Sequence, residues 1–179
     1  SYLSVHEAWG EALISENWSL KFGRQEISLD NQRIFGSVGW AQQARSHDAA
    51  IVKYKQNKFQ ANAAVAYNQD KATTIGTEAS KGSYKAFQYL WLHNDFSKNF
   101  GASILFLNNG KEQLDIDSTI FLNGTPTAAT DALYYKDNYS QTIGTHLTYK
   151  KNKLSIAGSF YTQMGLAGNR TSALSDYNG

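Results

Sequence analysis

The chain has 179 residues, of which 41% are hydrophobic and 13% aromatic, with no cysteine and a formal net charge of +2. This aromatic content is too high for a disordered chain, and the length allows one domain with its own core. The small, evenly spread charge excludes the clustered basic face that nucleic-acid binding needs. The lack of cysteine excludes a disulfide framework and a thiolate metal site. No apolar run approaches the roughly 20 residues of a membrane-spanning helix.

Apolar and polar residues alternate with a period of two in successive segments of the chain. This pattern predicts β-strands at Tyr2–Leu13, Leu20–Leu29, His47–Tyr54, Phe59–Asn68, Ser83–Asn94, Phe100–Asn108, Tyr139–Lys150 and Lys153–Gln163. In the clearest of them, Phe59, Ala61, Ala63, Val65 and Tyr67 share one uncharged face. No helical pattern of comparable length competes, so the sequence predicts an all-β protein with about eight strands.

Short and long connections alternate between the predicted strands. The short ones are Ser15–Asn17, Lys55–Lys58, Asp95–Asn99 and Lys151–Asn152, and the long polar ones are Asp30–Ser46, Asp70–Gly82, Asn109–Asn138 and Met164–Gly179. In an up-and-down sheet, all the long connections then emerge at the same end. Outer-membrane barrels have this asymmetry, with tight turns on one side and long loops on the other. A soluble β-sandwich has no physical reason to keep it.

Aromatic residues are concentrated near the predicted strand ends. Those near the short links are Trp18, Tyr54, Phe59, Trp91, Phe96, Phe100 and Tyr149, and those near the long connections are Tyr2, Tyr67, Tyr84, Tyr139 and Tyr161. Two aromatic belts at the ends of such strands fit the two interfaces of a bilayer. The alternative is that tyrosine and phenylalanine are simply good strand formers.

Alternation alone does not tell whether the apolar faces meet lipid or each other in a dry core. The loop asymmetry and the aromatic belts favour lipid, with the small polar residues of the opposite faces lining a wet lumen. We therefore expect residues 1–179 to form one segment of an antiparallel, up-and-down transmembrane β-barrel in the outer membrane of a Gram-negative bacterium. Its expected partners are outer-membrane lipid, lipopolysaccharide and a polar or anionic solute, with other outer-membrane proteins as further candidates.

A recognisable motif lies between Leu20 and Tyr54. It consists of Gly23-Arg24-Gln25, Asp30, Arg33, Phe35-Gly36, Trp40 and Asp48, with Glu7-Ala8-Trp9 upstream. A strand that ends in Gly-Arg-Gln, followed by an acidic residue, an arginine, an apolar-Gly pair, a loop tryptophan and an aspartate, resembles the alginate-export family of outer-membrane porins. The motif covers roughly a quarter of the chain, and elsewhere only the barrel pattern agrees.

The resemblance implies a much larger barrel, of which eight strands would be a part. The last residues, Asp176-Tyr177-Asn178-Gly179, lack the terminal aromatic residue common in bacterial barrels and fit the same expectation. The resemblance also implies an electropositive lumen that conducts an anionic polysaccharide or other anionic solutes, a task that suits arginine. The candidates for the lumen and its selectivity are Glu7, Lys21, Arg24, Gln25, Arg33, Arg45, Asp48 and Lys53. Such a mixed set of charges either forms a constriction with opposed fields or ties a loop to the wall.

Several of these residues have a structural interpretation as well. Gly-Arg-Gln with a downstream aspartate is better explained as a brace for the loop than as a solute ligand. Strict alternation places Arg24 with Leu20 and Phe22 on the lipid side, where a mid-membrane charge costs roughly 2–4 kcal/mol. We therefore favour a bulge near Gly23 that turns Arg24 inward over an error of register. Trp40 either stacks on a sugar ring or, as we favour, anchors the loop against the wall.

No catalytic pattern is recognisable, since the sequence has no nucleophile elbow, HExxH motif or phosphate loop. The histidines lack the paired spacing of a metal site, so we expect neither an enzyme nor a cofactor. The sequence favours a porin-like channel that passes polar or anionic solutes. The alternatives are a structural or docking barrel within a larger outer-membrane complex, and a secreted β-sandwich that binds carbohydrate and is soluble without detergent.

Overall fold

The structure is a computed structural model that describes residues 5–36, 45–68, 84–115, 119–122, 125–128 and 134–165. For residues 112–115, 119–122, 125–128 and 134–136 it describes the backbone only. Every regular element in these ranges is a β-strand, which confirms the all-β prediction. None of the described residues belongs to a helix long and apolar enough to cross a membrane.

The strands follow one another in a simple meander. They are β1 (Ala8–Leu13), β2 (Trp18–Gln25), β3 (His47–Gln56), β4 (Phe59–Tyr67), β5 (Ala86–Asp95), β6 (Phe100–Asp115), β7 (Thr119–Leu122), β8 (Thr125–Ala128), β9 (Tyr134–Lys151) and β10 (Leu154–Gly165). Eight of them form one antiparallel sheet in the order β1-β2-β3-β4-β5-β6-β9-β10, while β7 and β8 pair separately. The predicted up-and-down order of eight strands is confirmed. The sheet is not closed, because β1 and β10 are its two edges.

Four strands differ by more than three residues from the predicted ones, all at the end of the sheet where the long connections start; one of them is β1, which begins at Ala8 instead of Tyr2. β2 ends at Gln25 instead of Leu29, because the following residues leave the sheet. β6 continues to Asp115 and β9 begins at Tyr134, and these extensions pair with each other beyond the end of β5. The prediction of one polar connection over residues 109–138 is therefore wrong. The predicted segments 2–4, 70–82 and 166–179 lie outside the described residues.

The four short links join neighbouring strands at one end of the sheet, which we call the turn end. Two of them are two-residue turns, Asn57-Lys58 and Asn152-Lys153, in which the asparagines have φ angles of 54° and 53°. Asparagine is one of the few residues besides glycine that tolerate this left-handed conformation. The long connections start at the opposite end, which we call the loop end.

Alternation along the strands gives the sheet two different faces. The outer face carries Phe59, Ala61, Ala63, Val65 and Tyr67 of β4, together with their cross-strand partners. Large apolar side chains stay exposed on this face, and Val65 is 57% exposed. The opposite face, which we call the inner face, carries the buried residues of the sheet.

The buried core lies between the inner face and residues 26–36, which we call the inner segment. It consists of Ile27, Leu29 and Phe35 of the segment and Ala49, Ile51, Ala64, Ala66, Phe87, Tyr89, Trp91 and Leu105 of the sheet. Removing these side chains from water stabilises both the sheet and the position of the segment. The centre of the inner face is therefore apolar and covered, which corrects the expectation of a small, polar face along its whole length.

Aromatic side chains follow the turn end of the outer face. Trp18 lies 4.6 Å from Tyr54, and Tyr54 lies 6.1 Å from Phe59, measured between ring centroids. Phe96 and Phe100 form a second pair at 5.8 Å. One of the two predicted belts thus corresponds to a row of neighbouring rings.

Three aromatic residues predicted for the belts contact inner-face groups instead. Trp91 donates a hydrogen bond to Asp30 of the inner segment, and Tyr161 donates one to Asn31. Tyr84 bonds the ring of His47 at 2.7 Å. At the loop end, the outer face keeps Tyr67 and Tyr139, while Tyr2 lies outside the described residues. Nearness to a strand end did not reveal these placements, because successive residues of a strand point to opposite faces. A shift of one residue therefore moves a side chain from the outer face to the inner face.

Glycines opposite aromatic rings are a repeated feature of the sheet. Gly10 lies opposite Phe22, Gly110 opposite Tyr139, and Gly144 opposite Tyr161. Without a side chain, each glycine leaves room for the ring of its partner to lie over the neighbouring strand.

We expect Gly144→Ala to lower the free energy of unfolding by about 1–3 kcal/mol, because overpacking forces a shift of the neighbouring ring. A Cβ at this position would overlap the ring of Tyr161. The ring would have to tilt away and lose its hydrogen bond to the Asn31 side chain. Urea titration followed by tryptophan fluorescence measures the change. In the Tyr161→Ala background the same substitution displaces no ring, and equal costs in both backgrounds would contradict this explanation.

Candidate functional site

The chain turns out of β2 into the inner segment at Gly23 and Gln25. Gly23 has a φ of 111°, and a Cβ there would overlap the carbonyl oxygen of Ala8 on β1. Gln25 is fully buried, and its Nε2 donates a hydrogen bond to the Ala49 carbonyl at 3.0 Å. The side chain of Gln25 therefore braces the turn and does not face solvent.

Three charged side chains, those of Glu7, Arg24 and Asp48, form hydrogen bonds next to this turn. The Glu7 carboxylate accepts the backbone N–H of Glu26 at 3.0 Å, which fixes the first residue of the inner segment. The Arg24 guanidinium bonds both carboxylate oxygens of Asp48, at 2.9 and 2.7 Å. Arg24 and Asp48 are direct cross-strand partners on the outer face, so the inward turn of Arg24 expected from a bulge at Gly23 is not found. Their bidentate pairing instead balances both charges at the loop end.

Polar contacts fix the middle of the inner segment across the inner face. The Asp30 carboxylate accepts hydrogen bonds from Trp91 Nε1, at 3.0 Å, and from the hydroxyl of Ser103. The Asn31 amide donates to Ser159 Oγ at 2.8 Å. Because these partners lie on β5, β6 and β10, the segment that begins at β2 reaches the opposite edge of the sheet.

Apolar contacts hold the segment on both sides of these polar ones. Ile27 and Leu29 are buried, with 3% and 8% of their surface exposed. The Phe35 ring lies 5.1 Å from that of Phe87 and 5.0 Å from that of Tyr89, within the range of favourable aromatic pairs. The segment is therefore an integral part of the fold.

The inner face becomes polar and charged towards the turn end. The Lys53 ammonium pairs with the Glu11 carboxylate at 3.0 Å, and the Ser19 hydroxyl donates to the same carboxylate at 2.7 Å. The Lys21 ammonium lies 3.8 Å from the centre of the Trp9 ring, a cation–π contact. Two predicted lumen residues, Lys21 and Lys53, thus occupy fixed positions on the inner face.

A cavity of about 440 Å³ lies between the inner segment and the turn end of β1 to β4. Its polar lining includes Lys21, Lys53, Gln60, Asn62 and Glu26. Ammonium and amide groups of this kind bind carboxylates and hydroxyls by hydrogen bonds. The arrangement can therefore hold a polar or anionic solute beside the sheet.

Gln25 lines the cavity as well, whereas the described candidates Arg33 and Arg45 do not. Arg33 is exposed on the inner segment, with its backbone N–H bonded to the Asn31 side chain at 3.2 Å. Arg45 is exposed just before β3. Trp40 lies outside the described residues, so its role as a sugar platform or a loop anchor stays a prediction.

Sequence reasoning missed the residues that tie the inner segment to the sheet. Asp30 belonged to the motif but was not selected as a site residue, and Asn31 and Ser159 were not singled out. No signal in the sequence links Asn31 to Ser159, since the two residues are 128 positions apart. Among the described residues, no group of three or more histidine, aspartate or glutamate side chains could hold a metal ion.

Comparisons of this chain with family models, curated proteins and solved structures gave no match.

Proposed function

We propose that the chain is a segment of an outer-membrane porin-type barrel, related to alginate exporters, that passes polar or anionic solutes along the inner face of its sheet. The observation that carries the proposal is the difference between the two faces. The outer face is apolar and exposed, whereas the turn end of the inner face carries fixed charges and amides. A sheet of this kind suits lipid on one side and water on the other.

The outer face supports a membrane environment in its chemistry and in its length. In the cross-strand rows that contain Phe59 to Tyr67 of β4, no outer-face residue of β4, β5, β6, β9 or β10 is charged; Asp137 on β9 lies beyond these rows, at the loop end. β4 and β5 have 9 and 10 residues, and a tilted strand needs about 9–11 to cross a bilayer. Val65 and Phe160 are 57% and 68% exposed. In water, a face of such residues would be an unusually large apolar patch.

The open edges of the sheet support a barrel of more than eight strands. The interior of an eight-stranded barrel is just wide enough for its own side chains. Here the inner face also accommodates the backbone of the inner segment and a cavity of about 440 Å³. In the proposed barrel, β1 and β10 therefore pair with further strands and not with each other. Open sheet edges are not tolerated in the hydrocarbon of a bilayer.

The solute path of the proposed channel runs through the cavity at the turn end. Lys21, Lys53 and Lys55 line it together with Glu16 and Glu26, and Gln60 and Asn62 supply amides for hydroxyl groups. Cations fixed in a narrow passage raise the local concentration of anions. The inner segment narrows the path towards the loop end.

A second candidate function is a docking or scaffold barrel with a plugged pore. It is favoured by the burial of Ile27, Leu29 and Phe35, which fixes the inner segment firmly to the inner face. Single-channel conductance of the full-length protein in planar bilayers separates the two functions. A plugged scaffold gives no ion current and no preference for anions. A channel gives an ion current with a preference for anions.

Single cysteines introduced into the full-length barrel test the membrane environment, and this segment contributes no cysteine of its own to the background. In lipid vesicles, we expect Val65→Cys and Ile104→Cys on the outer face to resist a charged, membrane-impermeant maleimide. Gln60→Cys and Asn62→Cys on the inner face should react, because water carries the reagent into the cavity. Mass spectrometry measures the labelled fraction of each variant.

Labelling of all four variants in urea controls for the reactivity of the thiols and should be complete. Rapid labelling of the outer-face cysteines in vesicles would reject the membrane environment. Recovery of the protein in solution without detergent would do the same, although it would not favour the β-sandwich, because the eight strands form one sheet and not two.

A further inference from the structure

Three amide side chains interrupt the apolar outer face near the loop end. Gln88, Asn108 and Gln141 are direct cross-strand partners on β5, β6 and β9. The Asn108 amide donates to Gln88 Oε1 at 2.8 Å, and the Gln141 amide donates to Asn108 Oδ1 at 2.9 Å. These three residues form a continuous row, which we call the amide row.

An apolar groove of about 560 Å³ lies directly beside the amide row. On the side of the turn end it is lined by Leu90, Phe106 and Ile143, and Met164 on β10 lines it as well. The four side chains are 38–55% exposed: Leu90 40%, Phe106 43%, Ile143 38% and Met164 55%. No charged residue lines the groove.

The amide row keeps hydrogen-bond donors that the described residues do not use. Each side-chain amide has two N–H donors. Asn108 and Gln141 each donate one hydrogen bond within the row, and Gln88 only accepts. At least one N–H of each residue thus remains for a partner. In the hydrocarbon of a bilayer an unpaired N–H is strongly unfavourable, so under the proposed membrane function an acceptor is needed at this place.

We propose that the groove binds an acyl chain of a membrane lipid whose ester carbonyl oxygens accept hydrogen bonds from the amide row. This inference rests on the proposed membrane function. An acyl ester joins an apolar chain directly to carbonyl acceptors, which is the arrangement that a groove ending in N–H donors requires. A plain alkyl chain would leave the donors unpaired, and a free phosphate would leave the groove empty.

The position of the amide row agrees with this occupant. Along the strands, the amide row lies between the apolar groove and the next cross-strand row of outer-face residues towards the loop end. That next row includes Tyr67 of β4 and Tyr139 of β9. Tyrosines on the outer face of a barrel mark the lipid headgroup level. The ester linkages of a lipid lie just inside that level, where the donors of the row are found.

Lipids with and without carbonyl oxygens test the proposal. The full-length barrel is reconstituted in vesicles of equal parts dioleoyl phosphatidylcholine and its dialkyl ether analogue, extracted in mild detergent, and analysed by native mass spectrometry for retained lipid. We expect the ester lipid to be retained about tenfold more than the ether lipid, as two hydrogen bonds of ordinary net strength predict. Replacing Gln88, Asn108 and Gln141 together with leucine should abolish this preference.

Asn94→Leu is the matched control, because Asn94 is an outer-face amide that does not line the groove. It should keep the preference of the unsubstituted protein. Equal retention of ester and ether lipid by the unsubstituted protein would overturn the inference while leaving the membrane function intact. A preference that survives in the triple variant would overturn it as well. Failure of the protein to enter vesicles would instead reject the proposed function itself.

Discussion

Replacing Gly23 with alanine is expected to lower the free energy of unfolding by about 3 kcal/mol or more, through both backbone strain and overlap. Gly23 has a φ of 111°, which residues with a Cβ rarely adopt. The added Cβ would overlap the carbonyl oxygen of Ala8 and come within 3.0 Å of the Trp9 Cα. These are backbone atoms of the paired strand β1, so they can move only if the pairing of β1 with β2 is disturbed. Urea titration followed by tryptophan fluorescence measures the loss.

The control for this prediction is Gly158→Ala on β10. Nothing lies within 4 Å of a Cβ added at Gly158, so the free energy of unfolding should change by less than about 0.5 kcal/mol. If Gly23→Ala were as mild as Gly158→Ala, the close approach of β1 to β2 would be wrong. The position of Gly23 also matters for the site, because the same turn sends the chain into the inner segment.

The order of the strands was predictable because alternation along a strand is a local property. Phe59 to Tyr67 shows it clearly, since the large apolar residues Phe59, Val65 and Tyr67 fall on one face and the amides Gln60 and Asn62 fall on the other. Short links such as Asn57-Lys58 then force neighbouring strands to be antiparallel. These two facts are enough for an up-and-down sheet, and they require no knowledge of distant contacts.

The inner segment was not predictable in the same way. Ile27 and Leu29 continue the alternation of β2, so the sequence predicted a strand as far as Leu29. Their side chains are buried against the inner face. The backbone pairing of β2 with β3, however, ends at Gln25 and its partner His47. Alternation reports which side chains are buried and does not report which backbone groups pair. Only the tertiary contacts show whether residues 26–29 continue β2 or leave the sheet with their side chains buried.

The candidate site also contains some residues that the sequence identified and others whose placement depends on tertiary contacts. The sequence singled out Lys21 and Lys53, which lie at the cavity, because charges in a predicted strand are conspicuous. It wrongly placed Arg24 on the inner face, since the side on which this residue lies depends on its partner Asp48 on another strand. The tether between Asn31 and Ser159 depends on how far the inner segment reaches across the sheet, which no local pattern records.

The second large effect is expected from Asp30→Ala, which removes the acceptor shared by Trp91 and Ser103. Both donors lie in buried residues, with 8% and 2% of their surface exposed. A buried donor left without an acceptor costs about 1–3 kcal/mol, so the variant should lose about 2–4 kcal/mol of stability in urea titrations. Asp30→Asn keeps one carbonyl acceptor and should lose roughly half as much.

Loss of this tether also tests what the inner segment does in the proposed channel. If the segment narrows the solute path, loosening it by Asp30→Ala should raise the single-channel conductance and weaken the discrimination between anions and cations, because the fixed constriction is what sorts them. Asp95→Ala is the control, since it removes the same charge from an exposed residue at the end of β5 that does not line the cavity, and it leaves the segment tied. An unchanged conductance in Asp30→Ala, with the expected loss of stability, would mean that the segment braces the wall and that solutes pass elsewhere. Equal gains in both variants would mean that charge, and not the position of the segment, governs the passage.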